Sequence, residues 1–122
     1  MIEDPQFHDS AKRDIKGQLE HMLASSNFNV TQQHKALLIY IVNQTLAGKT
    51  REITDATLAT EVFGRRSDYD PRIDPIVSIQ TDVLRRALAR YYKTAGKSDP
   101  IRIDIPQGTY VPVFQKQKPD RS

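Results

Sequence analysis

A length of 122 residues, 38% of them hydrophobic and 27% charged, suits one domain able to bury its own core. The absence of cysteine excludes disulfides, thiolate zinc sites and cysteine nucleophiles, and fits a reducing cytosol. No run approaches the roughly 18 apolar residues of a membrane span, and the acidic, polar start MIEDPQFHDS is unlike a secretory signal or a transit peptide. The net charge of +3 is unevenly spread: residues 1–63 carry six Lys/Arg against eight Asp/Glu, residues 64–102 nine against five, and residues 103–122 three against two. A basic second half favours an anionic partner such as nucleic acid; a helix with a solvated basic face explains the same charge without one.

In chain order, residues 1–9 are expected to be flexible. Ser10 then caps a helix over residues 10–24 with Ile15, Leu19, Met22 and Leu23 at the 3.6-residue period. After SSNFN, Thr31 starts a second helix, QQHKALLIYIVNQTLAG, with Leu37, Leu38, Ile41, Val42 and Leu46 inward and Gly48 at its end. TREIT reads as a brief strand. Asp55 caps a short third helix, ATLATEVFG, closed by Gly64, and RRSDYDPRID follows as a polar loop. Asp74 is an N-cap with Pro75 at the first helical position of a long helix over residues 74–93. IRIDI and TYVPVF then form a hairpin around PQG, residues 101–114, and residues 115–122 are a flexible basic tail. The fold class is mainly α with a small β component. Three helices closed by a β-hairpin, with an extra N-terminal helix, make a winged helix-turn-helix over residues 10–114, the last helix in the major groove and the hairpin on the flanking backbone.

The stretches LAGKTREIT, EVFGRRSDYDPRIDPIV, LRRALARYY and DPIRIDIPQGTYVPVF, over roughly residues 15 to 114, resemble the winged-helix domains of bacterial transcription regulators in the OmpR/PhoB-like class. Within it the chain is most similar to the N-terminal winged-helix domains of bacterial multidomain regulators. The resemblance implies sequence-specific binding of double-stranded DNA in the cytoplasm, no catalysis and no cofactor. It also implies a loop, residues 64–74, that can contact RNA polymerase or another regulator.

On a wheel at 100° per residue, Ile76, Val77, Ile79, Val83, Leu84, Ala87, Leu88 and Tyr91 form the core side of the long helix. Ser78, Thr81, Asp82, Arg85, Arg86, Ala89, Tyr92 and Lys93 form the opposite side. Because arginine grips guanine O6 and N7 bidentately, Arg85 and Arg86 are the expected principal DNA contacts. They are joined by Ser78, Thr81, Asp82, Ala89 and Lys93 on the helix and by Arg102, Gln107 and Thr109 in the hairpin. Lys116, Lys118 and Arg121 would follow the duplex as a tail, and Tyr110 packs under the hairpin. Arg65, Arg66 and Arg72 either meet a protein or pair with Asp68, Asp70 and Asp74. Gln80 falls on the apolar side without an evident reason.

Domains of the group this chain resembles carry basic residues where it has Ser78, Val83 and Gln107, and Asp82 repels phosphate unless it accepts from a cytosine amino group. A winged helix repurposed for protein binding, as an antiactivator or assembly module, is therefore the second reading, and an architectural DNA-binding protein in recombination the third. The stripe on residues 10–24 either packs on the domain or forms a homodimer, which would set two half-sites ~34–36 Å apart. His8, His21 and His34 lack metal-ligand spacing, and no glycine-rich phosphate loop occurs, so an enzyme is not expected.

Overall fold

The computed structural model describes residues 8–118. Helices α1 (Asp9–Leu23) and α2 (Gln32–Leu46) are followed by a 3-10 turn (Thr50–Glu52), α3 (Asp55–Glu61), α4 (Ile76–Lys93) and two strands, β1 (Ile101–Asp104) and β2 (Val113–Lys116). The strands pair antiparallel, Ile101 opposite Lys116 and Asp104 opposite Val113. The described residues are thus mainly helical with one small sheet. No helix among the described residues is long and apolar enough to cross a membrane.

One core joins all four helices and β1. It is built from Leu19 and Met22 of α1, Leu37, Leu38 and Ile41 of α2, Leu58 of α3, Leu84, Leu88 and Tyr91 of α4, and Ile103. Ile15, Leu19 and Met22 are buried within the chain, so the apolar stripe of α1 packs on the domain. Gln18, also buried, donates to Asp99 Oδ2 at 2.8 Å, and the Tyr91 hydroxyl donates to the same oxygen at 2.6 Å. This carboxylate ties α1 and α4 to the turn that enters β1. Burial, and next the Asp99 carboxylate, push the Tyr91 phenol up. That turn requires glycine at position 96, since a Cβ there would lie 2.2 Å from the Tyr91 ring.

Several local expectations are met and others shift. Thr31 caps α2 in a capping box with His34, and Gly48 and Gly64, with φ of +76° and +66°, follow the ends of α2 and α3. Helix α1 begins at Asp9 rather than after a Ser10 cap, and Thr54, not Asp55, caps α3 by accepting from the Thr57 amide. Asp74 does not cap α4; its carboxylate instead accepts from Arg65 Nε at 2.7 Å. TREIT is a 3-10 turn, not a strand, closed by Glu52 N donating to Lys49 O and Ile53 N to Thr50 O.

The second strand lies four residues beyond the start of TYVPVF. Thr109 and Tyr110 are engaged with α4 and α3, and Pro112 has no amide hydrogen to give a ladder. Gln115 and Lys116 consequently belong to β2, and Gln117 Nε2 donates to Gly96 O and Asp99 O, so the flexible tail expected from residue 115 begins no earlier than residue 118. The expected flexible segments at residues 1–7 and 119–122, Arg121 among them, lie outside the described residues.

Candidate functional site

Helix α4 buries Val77, Thr81, Leu84, Leu88, Tyr91 and Tyr92. This face is rotated from the one that hydropathy picks out. Thr81 is 1% exposed, its hydroxyl donating to Val77 O at 2.6 Å, so the expected DNA contact at Thr81 is excluded by burial. Tyr92 likewise points inward. Its hydroxyl donates to Ile101 O and accepts from Ile103 N, both at 3.0 Å, completing the open edge of β1 as a third strand would. Burial, the largest influence, pushes its phenol up to about 12. A threonine that returns its hydroxyl to the preceding turn and a tyrosine with a strand to bond can both be core. With those two inward, Ile79 is 52% exposed and Val83 only half-buried, although both were expected in the core.

Arg85 corrects a second expectation. Its side chain is 12% exposed. Nε donates to Ile105 O at 3.1 Å, Nη2 to Thr109 O at 2.7 Å and Pro106 O at 3.3 Å, and Nη1 to the Asp82 carboxylate. The guanidinium therefore clamps the loop between β1 and β2 onto α4, and it is not free to be a principal DNA contact. It also neutralises Asp82, the acid expected to repel phosphate. The Tyr110 hydroxyl adds a further tie, donating to Asp55 Oδ1 at 2.9 Å; burial and then Asp55 push that phenol up. Asp55, Ser78, Asp82, Arg85, Gln107 and Thr109 line one cleft of about 550 Å³ between α3, α4 and the loop. Five residues singled out from sequence thus converge, but as a joint between helix and hairpin.

The next face of α4 has the opposite character. Arg86, Arg90 and Lys93 are exposed, and their side chains have no hydrogen-bond or ion-pair partner among the described residues. Ile79, Arg86 and Lys93 are seven residues apart, a spacing that drifts only ~20° per heptad, so they form one row. Val83 and Arg90 form the row beside it. The whole stripe is about 21 Å long at 1.5 Å per residue. Arg90 was missed from sequence because a wheel phased on Ile79 and Val83 turns it away from the polar side. Ala89 is half-buried at the edge of the stripe, and the Ser78 hydroxyl donates to Pro75 O at 3.1 Å.

The arginines of loop 64–74 and of β1 are paired, whereas Arg13, Lys16, Lys49, Arg51, Lys97, Lys116 and Lys118 form no ion pair among the described residues. Arg65 meets Asp74, Arg66 lies 3.8 Å from Asp68, and Arg72 meets Asp70 at 3.0 Å. The Arg72 hydrogen bond holds the Asp70 carboxyl below its ordinary range. Loop 64–74 therefore carries internal ion pairs, while its Ile73 is 82% exposed. Arg102 bonds Asp104 at 2.6 Å and lies 5.3 Å over the Tyr92 ring, at the base of the hairpin away from the clamped loop. Gln80 has its reason as well: its Oε1 accepts from His34 Nε2 at 2.6 Å, which extends the Thr31–His34 cap of α2 across to α4. No three of the described His, Asp and Glu residues gather as a metal site.

In comparisons with family models, with curated proteins and with solved structures, nothing matches this chain.

Proposed function

We propose that this chain is a winged helix-turn-helix domain of the OmpR/PhoB-like class that binds duplex DNA as a bacterial transcriptional regulator in the cytoplasm, with no catalysis or cofactor of its own. In this reading α4 is the recognition helix and the β1–β2 hairpin is the wing. A helix of ~10–12 Å diameter matches the ~12 Å width of the major groove. The observation that carries the reading is the cationic stripe Arg86, Arg90 and Lys93 on the outward side of α4, whose side chains have no partner among the described residues. Charges left without protein partners on one helix face are free to replace the counterions of a phosphate backbone. The Arg85 clamp supports it independently, because a loop fixed to α4 presents Gln107 to the same duplex at a set distance and angle.

Fluorescence anisotropy with mixed-sequence duplex tests this. Binding is expected at ~50 mM salt, with log affinity falling against log salt at a slope of roughly −3 if three phosphates are neutralised. No binding at that salt from a folded protein would overturn the reading.

Ile73, exposed at 82% in a loop whose arginines are occupied by acids, favours a second use, a protein contact through residues 64–74 with polymerase or another regulator. Ile73→Ser would leave duplex affinity unchanged and weaken only such a contact.

A further inference from the structure

We infer that Ile79, flanked by Val83, is a specificity-determining residue that reads the C5-methyl groups of thymine in the major groove, an inference resting on the duplex-binding reading above.

The sequence alone placed both side chains in the core, and the fold leaves Ile79 52% exposed. Its position gives that exposure meaning. Ile79 stands in one row with Arg86 and Lys93, so a duplex gripped by those cations along α4 covers the isoleucine as well. Within the row it occupies the first turns of the helix, on the outer side of the turns that carry Ser78 and Asp82. An isoleucine can neither donate nor accept a hydrogen bond, so amino, carbonyl and ring-nitrogen edges gain nothing from it. Of the groups that the four bases present in the major groove, the thymine methyl is the one apolar group larger than a C–H. 5-Methylcytosine would present the same methyl, and unmodified duplexes leave thymine as its only source. Asp82, the acid beside this position, is held by Arg85, so one carboxylate that would compete for the groove floor is already neutralised. Single exposed apolar residues are common on protein surfaces, and the experiment must therefore read the methyl itself.

A binding site would be selected from a randomised duplex library, and each thymine in it replaced singly by deoxyuridine, which removes the methyl and keeps every hydrogen-bonding group. Wild type and Ile79→Ala would be titrated against the series. At one or two positions, wild type is expected to lose about fourfold in affinity per methyl removed, the equivalent of one buried methylene. The Ile79→Ala variant, folded by circular dichroism, is expected to bind the thymine duplex more weakly and to show no further loss with deoxyuridine at those positions. Wild-type binding that is salt-dependent but indifferent to every deoxyuridine, or an equal response in the variant, would overturn the inference and leave the duplex reading standing. A wild type that selects no duplex at all would overturn both.

Discussion

Two flanks of one helix, α4, are built in opposite ways. On the flank facing the hairpin, Arg85 places its guanidinium donors on Ile105 O, Pro106 O, Thr109 O and the Asp82 carboxylate, and Tyr110 reaches Asp55. On the outward flank, Arg86, Arg90 and Lys93 have no side-chain partner among the described residues. Arg85 and Arg86 are adjacent and chemically identical, yet a step of ~100° around the helix gives one to the fold and leaves the other exposed. An arginine pair read from sequence is thus two separate questions, and the phase of the helix answers them differently.

The sharpest way to break the comparison is alkaline pH, which strikes phenols that bond α4 and the hairpin into the fold. Tyr91, Tyr92 and Tyr110 all titrate above the ordinary phenol value of 10 in the folded chain. A group whose folded value is raised contributes stability that is complete below its unfolded value and is lost as pH rises through the folded value. Thermal unfolding is therefore expected to be flat towards pH 10 and to fall steeply above it. Phenolate absorbance should lag for these tyrosines until the chain unfolds.

Arg85→Ala should follow in size. It leaves carbonyls of the loop and the Asp82 carboxylate without their donor, and about 1–3 kcal/mol of stability is expected to be lost, read from the urea midpoint. Arg85→Lys should recover only part of this, because an ammonium cannot span the same fork of acceptors.

Two smaller changes act away from both flanks and sharpen the contrast as controls. Gln80→Leu removes the acceptor of His34 Nε2 and should cost about 1 kcal/mol in the same urea assay. Gly17→Ala should stabilise by roughly 0.5–1 kcal/mol, since residue 17 is inside α1, has no positive φ, and a Cβ there meets open space. Neither is expected to change duplex affinity. The smallest stability effect belongs to the outward flank itself: Arg86→Ala should stay within about 0.5 kcal/mol of wild type.

Much of the architecture was legible in the sequence. Thr31 before a periodic apolar run, glycines at 48 and 64, and the polar, proline-containing loop before α4 each carry a local physical signal that the fold obeys. What failed was information that is not local. The inward turn of Thr81 and Tyr92 depends on a carbonyl one helical turn away and on a strand nine residues downstream, so a wheel phased by hydropathy put Ile79 and Val83 inside and overlooked Arg90. Asp74 satisfies every rule for a cap, but Arg65, nine residues earlier, takes its carboxylate. The clamp made by Arg85 joins residues 20 to 24 positions apart, and no spacing in the chain announces it.

The most direct test compares duplex binding by wild type with the triple variant Arg86→Ala, Arg90→Ala, Lys93→Ala, measured by anisotropy across a salt series. The expected result is an unchanged fold by circular dichroism, a large loss of affinity at low salt, and a salt slope reduced by about 0.9 for each phosphate contact removed. A triple variant that binds duplex as wild type does, with the same slope, would contradict the assignment of the outward flank of α4 as the DNA-binding face.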